Sequence, residues 1–160
     1  KKYPNAKVVF IGPCIAKRKE AQRDECVDYV ITFEELHSIF RGFGIELAQA
    51  NPYKVAYESV CEAHGFAQAG GVAGAVKAYL GPKADGIKML QFSDFNKKSI
   101  GQMRAWAKTG KVDAQFIEMM ACEGGCVTGP SAYNDSVSGK RQLNQDLLKR
   151  TLKYENYKEQ

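Results

Sequence analysis

Nothing in these 160 residues approaches the ~20 consecutive apolar residues that a membrane-spanning helix requires. The opening "KKYPNAKVVF" has neither the apolar stretch nor the small-residue cleavage site of a secretory signal. It also lacks an initiator methionine and runs almost at once into an apolar segment, so the chain is expected to be a piece cut from a longer protein. Cysteine is sparse and odd in number: Cys14, Cys26, Cys61, Cys122 and Cys126. An odd set without a secretory signal argues against a disulfide framework and for reduced thiols in a cytoplasmic setting. Phosphate-binding loops, dinucleotide fingerprints and zinc-protease motifs are all missing. Lys and Arg exceed Asp and Glu by 23 to 18, yet the basic residues are dispersed in small clusters with no interleaved aromatics. That pattern describes a solvated basic surface and excludes nucleic acid and membrane as expected partners.

What is present is an ordinary globular composition, 44% hydrophobic and 26% charged, long enough for one domain with a sizeable core. Val8 to Ile11 read as a buried strand ended by Gly12-Pro13, and a helix opens near Ile15. "DYVIT" is a second strand, and Thr32 with Glu35 forms a capping box for a helix that Gly42 stops. Residues 43–57 receive no assignment. A Gly- and Ala-rich helix runs from about Gly70 to Gly81-Pro82. "IKMLQF" is a strand, followed by a helix that places Ile100, Met103 and Trp106 on one face and ends at Gly110. "DAQFIEMM" is another strand, and a polar helix closes the chain. Four alternations of strand and helix predict an α/β fold: a mostly parallel sheet with helices on both faces, in a single domain over 1–160.

Ligands of open α/β sheets bind outside the C-terminal ends of the strands. Cys14 and Cys122 each fall just past such an end. At a helix start, Cys14 would gain thiolate character from free N–H groups, and Lys17 could face the same ligand; equally, Cys14 can be a small buried apolar residue and Lys17 a surface one. Cys122 and Cys126 bracket Gly124-Gly125, which disfavour a helix by ~1 kcal/mol each. A glycine loop wrapping a metal cluster accounts for this spacing better than zinc, whose usual pairs are Cys-x2-Cys. An iron–sulfur cubane takes four thiolates, and Cys14, Cys122 and Cys126 supply three. Cys26, Cys61 and His37 read as structural, and His64 has no supporting Ser or Asp arrangement.

Three stretches together resemble the catalytic domain of the iron-only ([FeFe]) hydrogenases. "GPCIAKRKE" is similar to that family's Met-Pro-Cys-x-x-Lys-Lys-x-Glu motif, and "EMMACEGGC" to its Glu-x-Met-Ala-Cys-x-Gly-Gly-Cys motif. "GFAQAGGVAGA" resembles the Phe-Gly-x-x-Gly-Gly-Val segment. The resemblance implies an H-cluster: a [4Fe-4S] cubane joined to a two-iron subsite with carbonyl, cyanide and dithiolate ligands. By motif, Cys14, Cys122 and Cys126 would ligate the cubane, with Cys126 shared with the two-iron subsite. Lys17 would hydrogen-bond a cyanide, Met120 and Phe66 would line the pocket for diatomic ligands, and Glu20 would support the motif from behind. The implied reaction is interconversion of protons, electrons and dihydrogen, or sensing of dihydrogen with slow turnover, in an anaerobic cytoplasm. The alternative is a non-catalytic [4Fe-4S] relative acting in iron–sulfur assembly.

The departures are informative. The family's Thr-Ser-Cys-Cys-Pro motif is absent and is expected upstream of Lys1, so this piece alone should be inactive and its H-cluster incomplete. Gly12 stands where the family has methionine, Ala67 where it has glycine, and "VTGPSAYN" where it has Gly-Gly-Gly-Gln-Pro. These changes resemble the divergent, sensory branch. Implied partners are a ferredoxin or attached iron–sulfur domain, the upstream part of the same protein, and a second copy of the piece across exposed apolar surface.

Overall fold

A computed structural model describes residues 3–53 and 59–156, and all structural statements below concern those residues. The chain divides into two compact units, one of Lys1–Lys54 with Gly129–Asp135 and one of Val55–Thr128 with Ser136–Gln160.

The first unit is built on strands β1 (Val9–Ile11) and β2 (Tyr29–Ile31), parallel and in register from Val9–Tyr29 to Ile11–Ile31. Parallel pairing requires a crossover, and helix α1 (Ala16–Ala21) lies in it. Asp28 fixes the entry to β2 by accepting from Val8 N at 2.8 Å and Lys7 Nζ at 2.9 Å. Helix α2 (Phe33–Gly42) opens on the expected capping box: Glu35 N donates to Thr32 Oγ1 at 3.2 Å, and Thr32 N to Glu35 Oε2 at 2.8 Å. Arg18 Nη2 adds a bond to Glu35 Oε1 at 2.5 Å. These donors, the Thr32 backbone first and Arg18 next, hold the Glu35 carboxyl below its ordinary range. Gly42 is the last helical residue of α2, and the left-handed turn falls on Gly44, at φ 69°.

The second unit repeats the crossover with longer strands. Strands β3 (Met89–Ser93) and β4 (Phe116–Met120) pair in parallel from Met89–Phe116 to Ser93–Met120. Helix α5 (Lys97–Thr109) joins them, capped by Asn96, whose Oδ1 accepts from Ser99 N at 3.0 Å, and ended by Gly110 at φ 65°. Trp106 meets Phe92 of β3 edge-on at 5.4 Å between ring centroids, docking the predicted face of α5 on the sheet. Around them lie α3 (Cys61–His64), α4 (Gly71–Leu80) and α6 (Ser136–Lys149). Cys61 Sγ donates to Leu147 O at 3.4 Å, which ties α3 to α6. The final helix stops at Lys149, and a 3₁₀ turn follows at Tyr154–Asn156; the remainder of the predicted helix lies outside the described residues.

The α/β class and the parallel pairing agree with the sequence reading, with the four strands forming two two-stranded sheets. Two expectations are corrected. Strand β1 is not buried, because it has a single neighbouring strand: Val9, Phe10 and Ile11 remain 36–44% exposed. Nor is the core sizeable, since the buried hydrophobics among the described residues are Val60, Ala73, Ala75 and Ala84.

Candidate metal centre

Strand β4 delivers the chain into the glycine loop between Cys122 and Cys126. Gly124 at φ 84° and Gly125 at φ 103° adopt backbone conformations that other L-residues resist. Gly125 N turns back to Cys122 O at 3.0 Å, and Thr128 Oγ1 donates to Glu123 O at 2.5 Å and Gly125 O at 2.9 Å. Gly125 is buried against the segment that follows Phe66. A β-carbon there would lie 2.5 Å from Ala69 N and 2.6 Å from Gln68 Cα, both backbone atoms that cannot yield. Ala69 N also donates to Gly124 O at 3.1 Å, lacing the two segments together.

Glu118 completes this brace, and the sequence reading did not single it out. It is 5% exposed, and its two carboxylate oxygens accept from Gly70 N and Ala73 N at 2.8 Å each. These are unpaired N–H groups at the start of α4, where the helix dipole also favours a negative charge. A single side chain on β4 therefore clamps the start of α4, two residues before the loop that begins beyond Met120. The available signal was a carboxylate at an inward position of a strand, which is seldom buried unless paired.

The predicted residues of the second unit thus fall on adjoining, hydrogen-bonded segments. Met120 is half-buried at the end of β4, where its carbonyl accepts from Asp94 N at 3.0 Å. Phe66 sits on a 3₁₀ turn, Gly65–Ala67, and is 48% exposed. Cys122 is half-buried and Cys126 exposed. His64, contrary to expectation, does have a serine partner: Ser59 Oγ lies 2.6 Å from its Nε2, in an exposed pair.

Cys14, Lys17 and Glu20 belong to the first unit. Cys14 is half-buried in the turn between β1 and α1. The Lys17 ammonium is engaged by the Glu20 carboxylate one turn along α1. The Phe10 ring comes within 2.9 Å of where a β-carbon on Gly12 would stand, so an aromatic side chain occupies the space beside that glycine.

A parallel α/β fold whose strand ends in a braced glycine loop between two cysteines defines the class of this protein. Residues 1–130 match the iron-only hydrogenase large subunit, C-terminal domain, and the chain belongs to that family. Its fold is similar to that of an [FeFe]-hydrogenase whose oxygen inactivation starts with modification and degradation of the H-cluster 2Fe subcluster. That likeness has a TM-score of 0.55 at 20% identity and covers 93% of this chain and 54% of the other. It is similar too to HydA(deltaEFG), a structure bearing on stepwise [FeFe]-hydrogenase H-cluster assembly, with a TM-score of 0.57 at 18% identity, covering 92% and 55%. The chain therefore spans about half the length of these solved structures.

The family implies an iron–sulfur cofactor. Thiolates are the ligands such clusters take, and backbone that approaches closely through glycine can donate N–H groups to sulfur. Cys122 and Cys126, on a loop held by Gly125 and Glu118, fit two of those ligands in chemistry and setting. Among the described residues they are not joined by a third Cys, His, Asp or Glu in one metal-holding group.

Proposed function

We propose that this chain is the C-terminal part of an H-cluster domain in an [FeFe]-hydrogenase-like protein that interconverts protons, electrons and dihydrogen or senses dihydrogen with slow turnover. In this reading both units belong to the one domain, as the family match across residues 1–130 supports. The observation that carries the reading is the loop Cys122–Cys126, which combines a specific motif with a buried brace beneath it.

Cys122, Cys126 and Cys14 would hold the cubane, with a fourth thiolate from an upstream part of the same protein. When bound, the cluster supplies the one-electron chemistry and the open iron site for hydrogen. The protein's own work is to orient and to exclude water. Glu118 and Gly125 fix where the two sulfurs of the loop can stand. Met120 and Phe66, apolar and on adjoining segments, would wall the pocket. Lys17 would have to exchange its Glu20 partner to reach a ligand, and Glu20 would then act as the resting place of that ammonium. Electrons would come from a ferredoxin or an attached iron–sulfur domain.

The test is iron–sulfur content and electron paramagnetic resonance of the anaerobically reconstituted full-length protein with Cys122→Ser or Cys126→Ser. Each substitution is expected to abolish the cubane signal while Cys26→Ser leaves it intact. Equal iron in all three would overturn the assignment.

A further inference from the structure

Lys140 stands on α6, beyond the residues matched by the family, and is half-buried. Its side chain lies over the α-carbon of Gly124. A β-carbon built on that glycine would collide with Lys140 Nζ and Cε and would touch Cδ at 3.7 Å. Among the described residues no hydrogen bond or ion pair engages the Lys140 ammonium. A lysine normally carries its charge out to water along an apolar stem. Here the end of the side chain lies against the backbone midway between Cys122 and Cys126, over a glycine that its φ of 84° already favours.

A cation in that position calls for compensating negative charge: the loop's own carboxylate, Glu123, is turned out to solvent, and the loop gains two further charges beside Gly124 when its cysteines are thiolates. The motif's own lysine, Lys17, is engaged by Glu20 in the other unit. The geometry points to Lys140 as a charge-setting and positioning residue of the cysteine loop, whose ammonium offsets the negative charge of cluster and thiolates. This rests on reading the loop as a cluster ligand. A positive charge held near a cluster in a partly buried setting favours the reduced, more negative state and so raises its reduction potential.

The test is an anaerobic redox titration of the cubane, followed by electron paramagnetic resonance, in the full-length protein and its Lys140→Arg, Lys140→Gln and Lys140→Glu variants. Lys140→Gln is expected to shift the oxidised-to-reduced equilibrium about tenfold toward oxidised, equivalent to 59 mV for a one-electron couple. Lys140→Glu should move it further in the same direction, and Lys140→Arg should restore the wild-type value. That grading by charge is not produced by a packing role. Equal potentials in wild type, Lys140→Gln and Lys140→Glu, with cluster content intact, would overturn the assignment of Lys140 alone. Absence of any cubane signal from the wild-type protein would overturn the cluster reading and this inference together.

Discussion

Glu118 shows what a single residue can do for a loop it does not belong to. Two short bonds from backbone N–H groups to one buried carboxylate join β4 to the start of α4. Hydrogen bonds to a charged acceptor contribute about 1.5–3 kcal/mol, and a buried donor left without a partner costs about as much again. Glu118→Ala is therefore expected to destabilise the protein by about 3 kcal/mol in urea unfolding, and Glu118→Gln, which keeps one acceptor oxygen, by roughly half that. A loss under about 0.5 kcal/mol for Glu118→Ala, the range of ordinary surface changes, would show that the clamp does not hold the fold. At this scale the sequence was partly legible. Gly124 and Gly125 announced a loop because glycine marks positions others cannot take. Glu118 stood first in the quoted motif, yet nothing local reveals that a strand carboxylate will find two N–H groups 45 and 48 residues away.

Among the elements, those with chemical punctuation were read correctly. Thr32 and Glu35 start α2, Gly110 ends α5, and Gly81 ends α4, because caps are local interactions, and the same kind of signal at Asn96, which caps the start of α5, went unread. Strand β1 was misjudged in burial. Its β-branched and aromatic residues specify an extended chain, but what covers a strand is decided by distant parts of the fold. The capping box makes a prediction with a sign. The folded-state pKa of Glu35 lies below its unfolded value, since the Thr32 N–H and Arg18 favour the charged form. Its contribution is therefore fully present above the ordinary glutamate range and is lost as pH falls through the lowered folded-state value. Thermal unfolding of wild type and Glu35→Gln should differ at neutral pH and converge in acid. A gap that stays constant into acid would contradict this account of the helix start.

For the whole molecule, the notable quantity is how little apolar surface is covered. Ile15 is 54% exposed, Tyr29 57% and Phe43 79%, while the buried hydrophobics among the described residues are chiefly alanines. Exposed apolar area on this scale favours association. Sedimentation of the isolated 17.7 kDa chain at micromolar concentration is expected to show species larger than the monomer, with binding of a hydrophobic dye. A monodisperse monomer that binds no dye would contradict this. The limited core also explains why the fold was legible in outline but not in packing. Patterns of strand and helix are written locally, whereas the residues that cover them are set by the longer protein in the proposed reading. The central claim is that the loop from Cys122 to Cys126 helps to hold an H-cluster, and infrared spectroscopy of the anaerobically matured full-length protein tests it most directly. Carbonyl and cyanide stretching bands in the wild type that vanish in Cys126→Ser are the predicted result; a wild-type spectrum without those bands would contradict it.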